Sequence, residues 1–528
     1  MMTFDDRGKY TSARSTSFGS AAVATSEPLA AAAGLKMLED GGNAIDAAIA
    51  AAATLTITEP TSNGIGSDAF ALVWDGTTLH GLNASGRAPA GWTPDRFSGR
   101  HMPTRGWDTI TIPGAVSAWQ ALAERFATKP LSTLLAPAAH HAEAGFMVGE
   151  VTAASWQKQA EVVPRGDGFA QTFLIDGKAP RAGTRMANPR AAKALRLIGE
   201  TGGAAFYEGP IAHDIVTASQ AAGGAHAMVD FAAHTADFVK PLSVDACGLT
   251  VHEIPPNGQG LAALIALGIL ERFDLGDAPD DVRAVHLQIE AVKLSLADAT
   301  THVADPSAMA VPPKAFLDTD YLAARAKLID PQKAGLFATG HPLTGGTVML
   351  CTADSAGRMV AYIQSNYEGF GSGCVSPEFG ISLQNRGAAF SLDPQSPNRV
   401  GPGKRPFHTI IPGFATRGDA AMMAFGVMGG PIQAQGHTQL VTRIARFGQS
   451  VQTAIDAPRF RVLPGGGVAL ERHADDALVE GLEALGHTVV REAPNVAFGF
   501  GGAQAIVRHN GGYAAGSDPR KDGMALVL

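Results

Sequence analysis

The chain has 528 residues, of which 45% are hydrophobic and 17% are charged, so it is long enough to bury a large apolar core. Its 41 basic and 49 acidic residues give a formal net charge of -8, and neither sign forms a long run. A nucleic-acid-binding protein would carry a basic stripe, so no nucleic-acid partner is expected.

In chain order, the first predicted elements are helices. Ser26 is expected to cap a helix over residues 29–40 that ends at Gly41-Gly42, and Asn43 is expected to cap a second helix over residues 44–55. The next predicted elements are a strand over residues 69–75 and helices over residues 115–126, 131–145 and 281–299.

Strand patterns open the C-terminal part. Residues 347–354 and 358–365 are predicted to be two strands joined by a turn at residues 355–357, and residues 503–509 and 513–517 repeat this pattern. A helix-rich first part followed by these strands favours a mixed sheet that is covered by helices.

The three cysteines, Cys247, Cys351 and Cys374, match no zinc-binding spacing, and their odd number argues against a disulfide framework. A reducing compartment therefore fits best. The first twenty residues contain no apolar segment of the kind that a secretory signal needs. The most apolar stretch, residues 44–56, is too short to span a bilayer. The sequence thus predicts a cytoplasmic protein without a membrane partner.

Common catalytic and cofactor motifs are absent from the sequence. It contains no Gly-x-Ser-x-Gly elbow, no His-Glu-x-x-His metal motif and no phosphate-binding P-loop. Gly64-Ile65-Gly66 is too short for a dinucleotide fingerprint and precedes a strand rather than a helix. No metal or other cofactor is therefore expected.

Thr347 begins a predicted apolar strand directly after Gly345 and Gly346. If the Gly346–Thr347 bond were cut, Thr347 would carry both a hydroxyl and a free α-amine, and the amine could act as the base that activates the hydroxyl. The ordinary pKa of an α-amine, about 7.7–8.0, suits this task near neutral pH. From this segment alone, a plain strand start is the favoured interpretation.

Nine short segments in one order carry a stronger signal: residues 24–30, 41–48, 59–66, 113–119, 206–209, 286–294, 401–406, 457–460 and 517–520. Together they resemble the γ-glutamyltranspeptidase family over nearly the whole chain. The resemblance implies an α/β fold, the four-layer αββα sandwich of N-terminal-nucleophile (Ntn) hydrolases. It also implies a zymogen that cleaves itself autocatalytically between Gly346 and Thr347.

Such a cut would leave residues 1–346 as a large subunit and residues 347–528 as a small subunit, which together would form one interleaved domain. The family chemistry is acyl transfer: the nucleophile attacks an amide carbonyl, an amine leaves, and water or an acceptor amine takes the acyl group. Whether such subunit pairs form a dimer is left open by the resemblance.

The resemblance also implies roles for residues near the nucleophile. Ser365, eighteen residues after Thr347, stands where the family has a hydroxyl that bonds the nucleophile. Gly429 and Gly430 match a Gly-Gly pair whose backbone N–H groups bind the oxyanion. Asn366 lies one residue before the position of a family Asn, so a polar role in the site and a plain structural role are both open.

The segments that bind substrate depart from the family pattern. The carboxylate-binding Arg of γ-glutamyl enzymes falls on Ser85, and Arg87 is either its replacement or an unrelated surface residue. The family's Ser pair appears as His408 and Thr409. Thr409 keeps a hydroxyl, whereas His408 either donates to a carboxylate or only packs.

The residue that grips the substrate ammonium in γ-glutamyl enzymes also differs. Its position falls on Ala389, residues 380–390 contain no acid, and Arg386 stands in the same segment. An ammonium would be poorly held beside Arg386, whereas a carboxylate or oxalyl group would suit its planar, bidentate fork.

The leading hypothesis is therefore an autoprocessing threonine amidohydrolase that cleaves a small-molecule amide with an anionic acyl group, either oxamate-like or glutaryl/γ-glutamyl-like. A conventional γ-glutamyl hydrolase or transferase that acts on glutathione is one alternative. An inactive relative that serves as a binding protein is the alternative from another class.

Overall fold

Two large β-sheets stack face to face at the centre of the molecule, and helices cover the outer face of each sheet. The computed structural model describes residues 14–164, 166–337, 346–493 and 499–528. Residues 1–13 and Gly345, which the sequence arguments used, lie outside these ranges. The layers form the αββα sandwich that the family resemblance implies, so the predicted fold class is confirmed.

The strands of the described residues are, in chain order, β1 (Ser17–Gly19), β2 (Ala22–Thr25), β3 (Asp68–Trp74), β4 (Leu79–Asn83), β5 (Phe146–Met147), β6 (Arg185–Met186), β7 (Asp237–Val239), β8 (Leu242–Ala246), β9 (Leu249–Glu253), β10 (Gly346–Ala353), β11 (Met359–Tyr367), β12 (Gly413–Arg417), β13 (Ala420–Met428), β14 (Phe460–Val462), β15 (Val468–Glu471), β16 (Val489–Glu492), β17 (Gly502–His509), β18 (Gly512–Ser517) and β19 (Met524–Val527).

The large sheets have the strand orders β1-β18-β17-β13-β12-β9-β8 and β19-β2-β10-β11-β3-β4-β7, and the smaller sheets are β14-β15-β16 and β5-β6. Both large sheets are antiparallel rather than mixed as predicted. The reason is local: many neighbouring strands, such as β10 and β11, are joined by short hairpins, which only antiparallel strands allow. Each large sheet combines strands from before and after residue 346.

The helices of the described residues are α1 (Pro28–Glu39), α2 (Ala44–Thr58), α3 (Ala115–Phe126), α4 (Leu131–Ala144), α5 (Glu150–Ala160), α6 (Asp167–Phe173), α7 (Pro189–Glu200), α8 (Ala204–Tyr207), α9 (Pro210–Ala221), α10 (Met228–Ala232), α11 (Gly260–Leu270), α12 (Val282–His302), α13 (Thr319–Ala326), α14 (Ile432–Val441), α15 (Val451–Asp456) and α16 (Asp476–Ala484). Short 3₁₀ segments lie at Pro94–Phe97, Trp107–Thr109, Pro306–Ala308, Pro313–Leu317, Arg386–Ala389 and Pro464–Gly466, and a π-helical turn lies at Thr442–Arg446.

The first two helices pack on the sheet that carries β10. Asn43 and Asp46 form a reciprocal capping box at the start of α2, in agreement with the predicted cap. Helix α1 is capped by Glu27, whose carboxylate accepts a hydrogen bond from Ala30 N at 2.9 Å, and not by the predicted Ser26. Every residue of α2 is buried, because the helix lies between the sheet, α1 and α4.

Alternation of side chains along the strands decides which residues meet between the sheets. Phe70 and Met349 lie in the core between the two sheets. At the ends of the same strands, the alternation places Asp68 and Thr347 on that inner face, with Ser365 of β11 paired to Asp68. The inter-sheet layer thus ends in a group of polar side chains.

Candidate active site

Thr347 lies in this polar group and is 1% exposed. Its Oγ1 lies 3.3 Å from Ser365 Oγ and 3.5 Å from Nε2 of Gln433, which donates to it. Gln433, in the first turn of α14, was missed by the sequence reasoning, although it follows the Gly-Gly pair closely. Its Oε1 accepts a hydrogen bond from Ile411 N at 3.0 Å, which turns the amide nitrogen toward Thr347.

The pairing of β10 with β11 is irregular at this point. The register shifts between Gly346 and Val348, so that two residues of β11 lie opposite the single residue Thr347 in the strand pairing. Tyr367, the last residue of β11, has a φ of 75°, a left-handed conformation that is uncommon for a bulky side chain. Bulges and residues in such conformations re-aim side chains and are concentrated at functional sites.

Gly429 and Gly430 connect the end of β13 to α14 at the same end of the sheets. Their φ angles are 126° and 72°, in the left-handed region that favours glycine. The Gly430 carbonyl accepts a hydrogen bond from Gln259 Nε2 at 2.9 Å, which fixes the orientation of the turn. Neither glycine N–H donates to an acceptor within the described residues, so both can serve an oxyanion.

Arg386 is a fully buried cation beside Ser365. Its guanidinium donates to Ser365 Oγ at 3.0 Å and to Thr409 Oγ1 at 3.1 Å. The guanidinium carbon lies 4.3 Å from the centroid of the Tyr367 ring, a cation–π contact. Burial lowers the pKa of Arg386 to about 10, so the side chain is still charged at neutral pH. Its Nε has no hydrogen-bond partner among the described residues.

Two carboxylates from outside residues 380–390 lie close enough to attract Arg386: Asp68 and Glu368. The absence of an acid in that segment of the sequence therefore does not mean that the site lacks one. Both carboxylates are already engaged, however. Glu368 lies 3.4 Å from the guanidinium of Arg105, and Asp68 contacts His408.

Asp68 and His408 form a buried pair next to Arg386. His408 Nε2 lies 3.2 Å from Asp68 Oδ2, and Asp68 Oδ1 accepts the backbone N–H groups of Gly86 and Gly114 at 3.0 and 3.1 Å. Burial raises the pKa of Asp68 to about 7, against the attraction of Arg386, and burial holds the pKa of His408 well below its ordinary value. Asp68 was also missed, although a lone charge at the start of an apolar strand is a usable signal.

The model of one protein family, gamma-glutamyltranspeptidase, matches residues 30–528 of this chain. The chain belongs to this family.

Individual relatives agree with this assignment. The chain is 37% identical over 512 residues to the oxamate amidohydrolase proenzyme of Klebsiella pneumoniae subsp. pneumoniae, which spans 94% of this chain and 96% of that protein. It is 34% identical over 511 residues to the glutathione hydrolase-like YwrD proenzyme of Bacillus subtilis, which spans 95% and 97%. The crystal structure of cephalosporin acylase from Bacillus halodurans matches it with a TM-score of 0.95 at 42% identity, over 100% of this chain and 99% of the other.

This γ-glutamyltranspeptidase family member is therefore an enzyme, the precursor of a self-cleaving Ntn amidohydrolase. The inactive binding protein, which the sequence left as an alternative, does not fit these relatives. The structure brings together Thr347, Ser365, Arg386 and Thr409, with Gly429-Gly430 and His408 alongside.

Arg87, a candidate replacement for the family's carboxylate-binding Arg, lies apart from this group. Its side chain is 44% exposed and lies 3.5 Å from Asp237 and 3.8 Å from Asp305. Ser85, where the family has its Arg, is buried against Asn83. The structure thus places Arg87 as a surface ion-pair residue rather than as a ligand of a substrate beside Thr347.

Asn366 faces away from Ser365, as expected for neighbouring residues of a strand. Its side-chain oxygen accepts a hydrogen bond from Ser67 Oγ at 2.8 Å, and its nitrogen donates to Ser382 Oγ at 3.2 Å. These contacts tie β11 to two loops and make no contact with Thr347. They favour the structural role over a direct contact with substrate.

One further group with the chemistry of metal ligands occurs in the part of the chain that the structure describes: His286, Glu290 and His487. Lys293 Nζ lies 2.8 Å from Glu290 Oε1 and 3.5 Å from His487 Nδ1, so an ammonium already supplies positive charge there. His286 Nδ1 and His487 Nε2 share a hydrogen bond of 2.8 Å. The group is a satisfied hydrogen-bond network, and an added metal ion would have to compete with Lys293.

None of the helices in the described ranges is both long and apolar enough to cross a membrane. The three cysteines, Cys247, Cys351 and Cys374, are free. Burial raises the pKa of all three thiols. A nucleophilic cysteine has a lowered pKa, so these three thiols are poorly suited to act as nucleophiles.

Proposed function

We propose that Thr347 is the nucleophile of this amidohydrolase and that self-cleavage of the Gly346–Thr347 bond exposes it. The support is the position of Thr347 at the start of β10 and the approach of its hydroxyl to Ser365. The cut would leave residues 1–346 and 347–528 as large and small subunits. Because both contribute strands to each large sheet, the subunits would stay together as one interleaved domain.

The proposed catalytic cycle uses these groups in turn. The Thr347 α-amine takes the hydroxyl proton while Oγ1 attacks the substrate amide carbonyl. The N–H groups of Gly429 and Gly430 stabilise the oxyanion that forms on the carbonyl oxygen. The α-amine then returns the proton to the leaving amine as the C–N bond breaks, which leaves an acyl-enzyme ester. Water, or an acceptor amine, attacks this ester and restores the Thr347 hydroxyl.

We further propose that the substrate is an amide with a short acyl group that ends in a carboxylate. The observation that carries this proposal is the buried, charged Arg386 guanidinium beside the nucleophile. Ser365 Oγ lies 3.0 Å from the guanidinium and 3.3 Å from Thr347 Oγ1. A carboxylate bound to Arg386 therefore sits close to the carbonyl under attack, which suits an oxamate-like group better than a long one.

The choice between an oxamate-like acyl group and a γ-glutamyl group depends on how the α-ammonium of the γ-glutamyl group would be held. A γ-glutamyl group carries an α-ammonium beside its carboxylate, and an ammonium needs a carboxylate that is free to receive it. Asp68 and Glu368 are the acids near Arg386, and both already have partners. Conventional glutathione cleavage is kept as the second candidate, because the Bacillus subtilis relative at 34% identity is named glutathione hydrolase-like.

Turnover of three substrates tests this proposal: oxamate, a glutaryl amide and a γ-glutamyl anilide. We expect kcat/KM to be highest for oxamate or the glutaryl amide and at least about 10-fold lower for the γ-glutamyl anilide, because the ammonium is unpaired there. The matched control is Thr347→Ala, which must abolish turnover of all three. Robust γ-glutamyl turnover that is lost in Thr347→Ala would overturn the acyl-group proposal and leave the nucleophile in place.

We also propose that the enzyme works in the cytoplasm. The support is its three free thiols, since disulfides are rare where thiols are kept reduced. Fractionation of the producing cells, with detection of the small subunit in the cytoplasmic fraction, tests this location.

A further inference from the structure

The hydroxyl of Ser365 is the hub of the hydrogen bonds around the proposed cut. It donates to the Gly346 carbonyl oxygen at 2.5 Å, and that carbonyl belongs to the bond that precedes Thr347. Its oxygen accepts the backbone N–H of Tyr367 at 2.8 Å and the Arg386 guanidinium at 3.0 Å.

These contacts use the full capacity of the Ser365 hydroxyl. A hydroxyl has one proton and two lone pairs. The Gly346 carbonyl takes the proton, and the N–H donors of Tyr367 and Arg386 fill the lone pairs. Thr347 Oγ1 donates to the same oxygen at 3.3 Å, which is the longest and therefore the weakest of the four contacts.

We propose that Arg386 is a positioning residue for self-cleavage, which acts through Ser365 on the carbonyl oxygen of Gly346. This role is separate from binding a substrate carboxylate, because it is needed before any substrate can bind. It rests on the proposed cut before Thr347.

The covalent step shows where this contact acts. Thr347 Oγ1 bonds to the Gly346 carbonyl carbon, the Gly346–Thr347 C–N bond breaks, and the hydroxyl proton ends on the Thr347 nitrogen. The product is an ester between Gly346 and Thr347 Oγ1, which water hydrolyses to a Gly346 carboxylate and a free Thr347 hydroxyl. Negative charge develops on the Gly346 oxygen during the attack, and a donor aimed at that oxygen beforehand stabilises it.

Arg386 strengthens this donor in two ways. A charged N–H that donates to Ser365 Oγ polarises the hydroxyl and makes it a better donor to the carbonyl. The guanidinium also fixes the Ser365 rotamer, since it is itself held by Thr409 Oγ1 and by the Tyr367 ring. One buried cation thus serves the cleavage of the chain and later the recognition of an anionic acyl group.

The test is the rate at which purified full-length chain converts into fragments, followed on a denaturing gel with no substrate present. We expect Arg386→Met to convert about 10-fold to about 100-fold more slowly than wild type, and Arg386→Lys to fall between them, because lysine keeps the charge without the planar fork. The control is Arg87→Met, which removes an exposed guanidinium and is expected to convert at the wild-type rate. Thermal unfolding midpoints close to wild type establish that the variants are folded.

Partial rescue by Lys separates positioning from mere support of the fold. Wild-type conversion rates in folded Arg386→Met and Arg386→Lys would overturn the inference. If Arg386→Met does not fold, Arg386→Lys decides, and its conversion at the wild-type rate counts against the inference. Mass spectrometry distinguishes the two proposals: a cut elsewhere than before Thr347 removes both, whereas a correct cut at an unchanged rate removes only the role of Arg386 in cleavage.

Discussion

The proposed active site has two corners, a nucleophile corner and a charged corner, that use different chemistry. The nucleophile corner consists of Thr347, Ser365, Gly429 and Gly430, and the charged corner consists of Asp68, Arg386, His408 and Thr409. The nucleophile corner offers neutral hydroxyl and backbone N–H groups. The charged corner buries the Arg386 guanidinium, which contacts Ser365 of the nucleophile corner, and the side chain of Asp68.

This difference separates the type of reaction from the choice of substrate. Attack on an amide carbonyl and stabilisation of its oxyanion need the same neutral donors for any acyl group. A buried cation, in contrast, is costly unless something pairs with it. Arg386 has hydroxyl and ring partners but makes no ion pair with a carboxylate among the described residues. A substrate carboxylate is the partner that we propose for it.

The largest effect is expected when the nucleophile corner is disrupted. In Thr347→Ala, the hydroxyl that attacks in both self-cleavage and turnover is missing, so we expect a single uncut chain of 54.4 kDa. Turnover should fall by at least about 10⁴-fold. A denaturing gel and the substrate assay measure both effects. Thr347→Ser is the matched variant, which keeps a hydroxyl and should still cleave, and two fragments from Thr347→Ala would place the nucleophile elsewhere.

The second largest effect is expected when a substitution disrupts the charged corner and leaves the nucleophile corner intact. In material that has completed cleavage, Arg386→Met should lower kcat/KM for an anionic acyl amide by roughly 10²-fold, since a charge-assisted, bidentate contact is lost. The same variant should change kcat/KM for a neutral acyl amide by less than about 3-fold. Equal losses for both substrates would show that Arg386 does not select the acyl group.

A third effect concerns the pH dependence of stability. Burial raises the pKa of Asp68 to about 7 in the folded state, so between about pH 4 and pH 7 the folded state binds more protons than the unfolded state. Through the titration of this group, the unfolding free energy therefore falls as the pH rises through this window. Asp68→Asn keeps the acceptor for Gly86 and Gly114 but cannot ionise, so this fall should be smaller by an amount on the order of 2–4 kcal/mol.

Denaturant unfolding at several pH values between 4 and 7 measures this difference. Glu59, whose pKa is likewise raised to about 7 by burial, titrates in both proteins and cancels in the comparison. Identical pH slopes for wild type and Asp68→Asn would contradict a buried, titrating Asp68.

The smallest effect is expected for Arg87, and it tests whether this residue lies outside the charged corner. Arg87→Met removes a half-exposed guanidinium whose partners are Asp237 and Asp305. We expect kcat/KM for an anionic acyl amide to change by less than about 2-fold, and stability to change by less than about 1 kcal/mol, as is usual for exposed ion pairs. A loss as large as that of Arg386→Met would return Arg87 to the substrate site.

The parts of the fold that were predictable from the sequence have local signals. The Asn43 cap and the hairpin between β10 and β11 are examples, because caps and turns depend on a few adjacent residues. Helix α11 was not predicted. All of its residues are buried, so its sequence shows no periodic polar face that would distinguish a helix from another apolar run.

The same distinction between predictable and unpredictable features applies to the residues of the active site. The approach of Ser365 to Thr347 was expected from the family resemblance, which places a hydroxyl at this position. Asp68 and Gln433 were not expected, because β3 and α14 bring them in from distant parts of the chain. For Arg87 the sequence left both a substrate-binding role and a surface role open, since proximity in sequence to a family motif carries no information about exposure.

The mass and the N-terminal sequence of the purified small subunit are the most direct test of whether self-cleavage exposes Thr347. We expect two fragments that correspond to residues 1–346 and 347–528, with a free Thr347 at the start of the second. An uncut chain in active enzyme, or a fragment that starts at another residue, would contradict it.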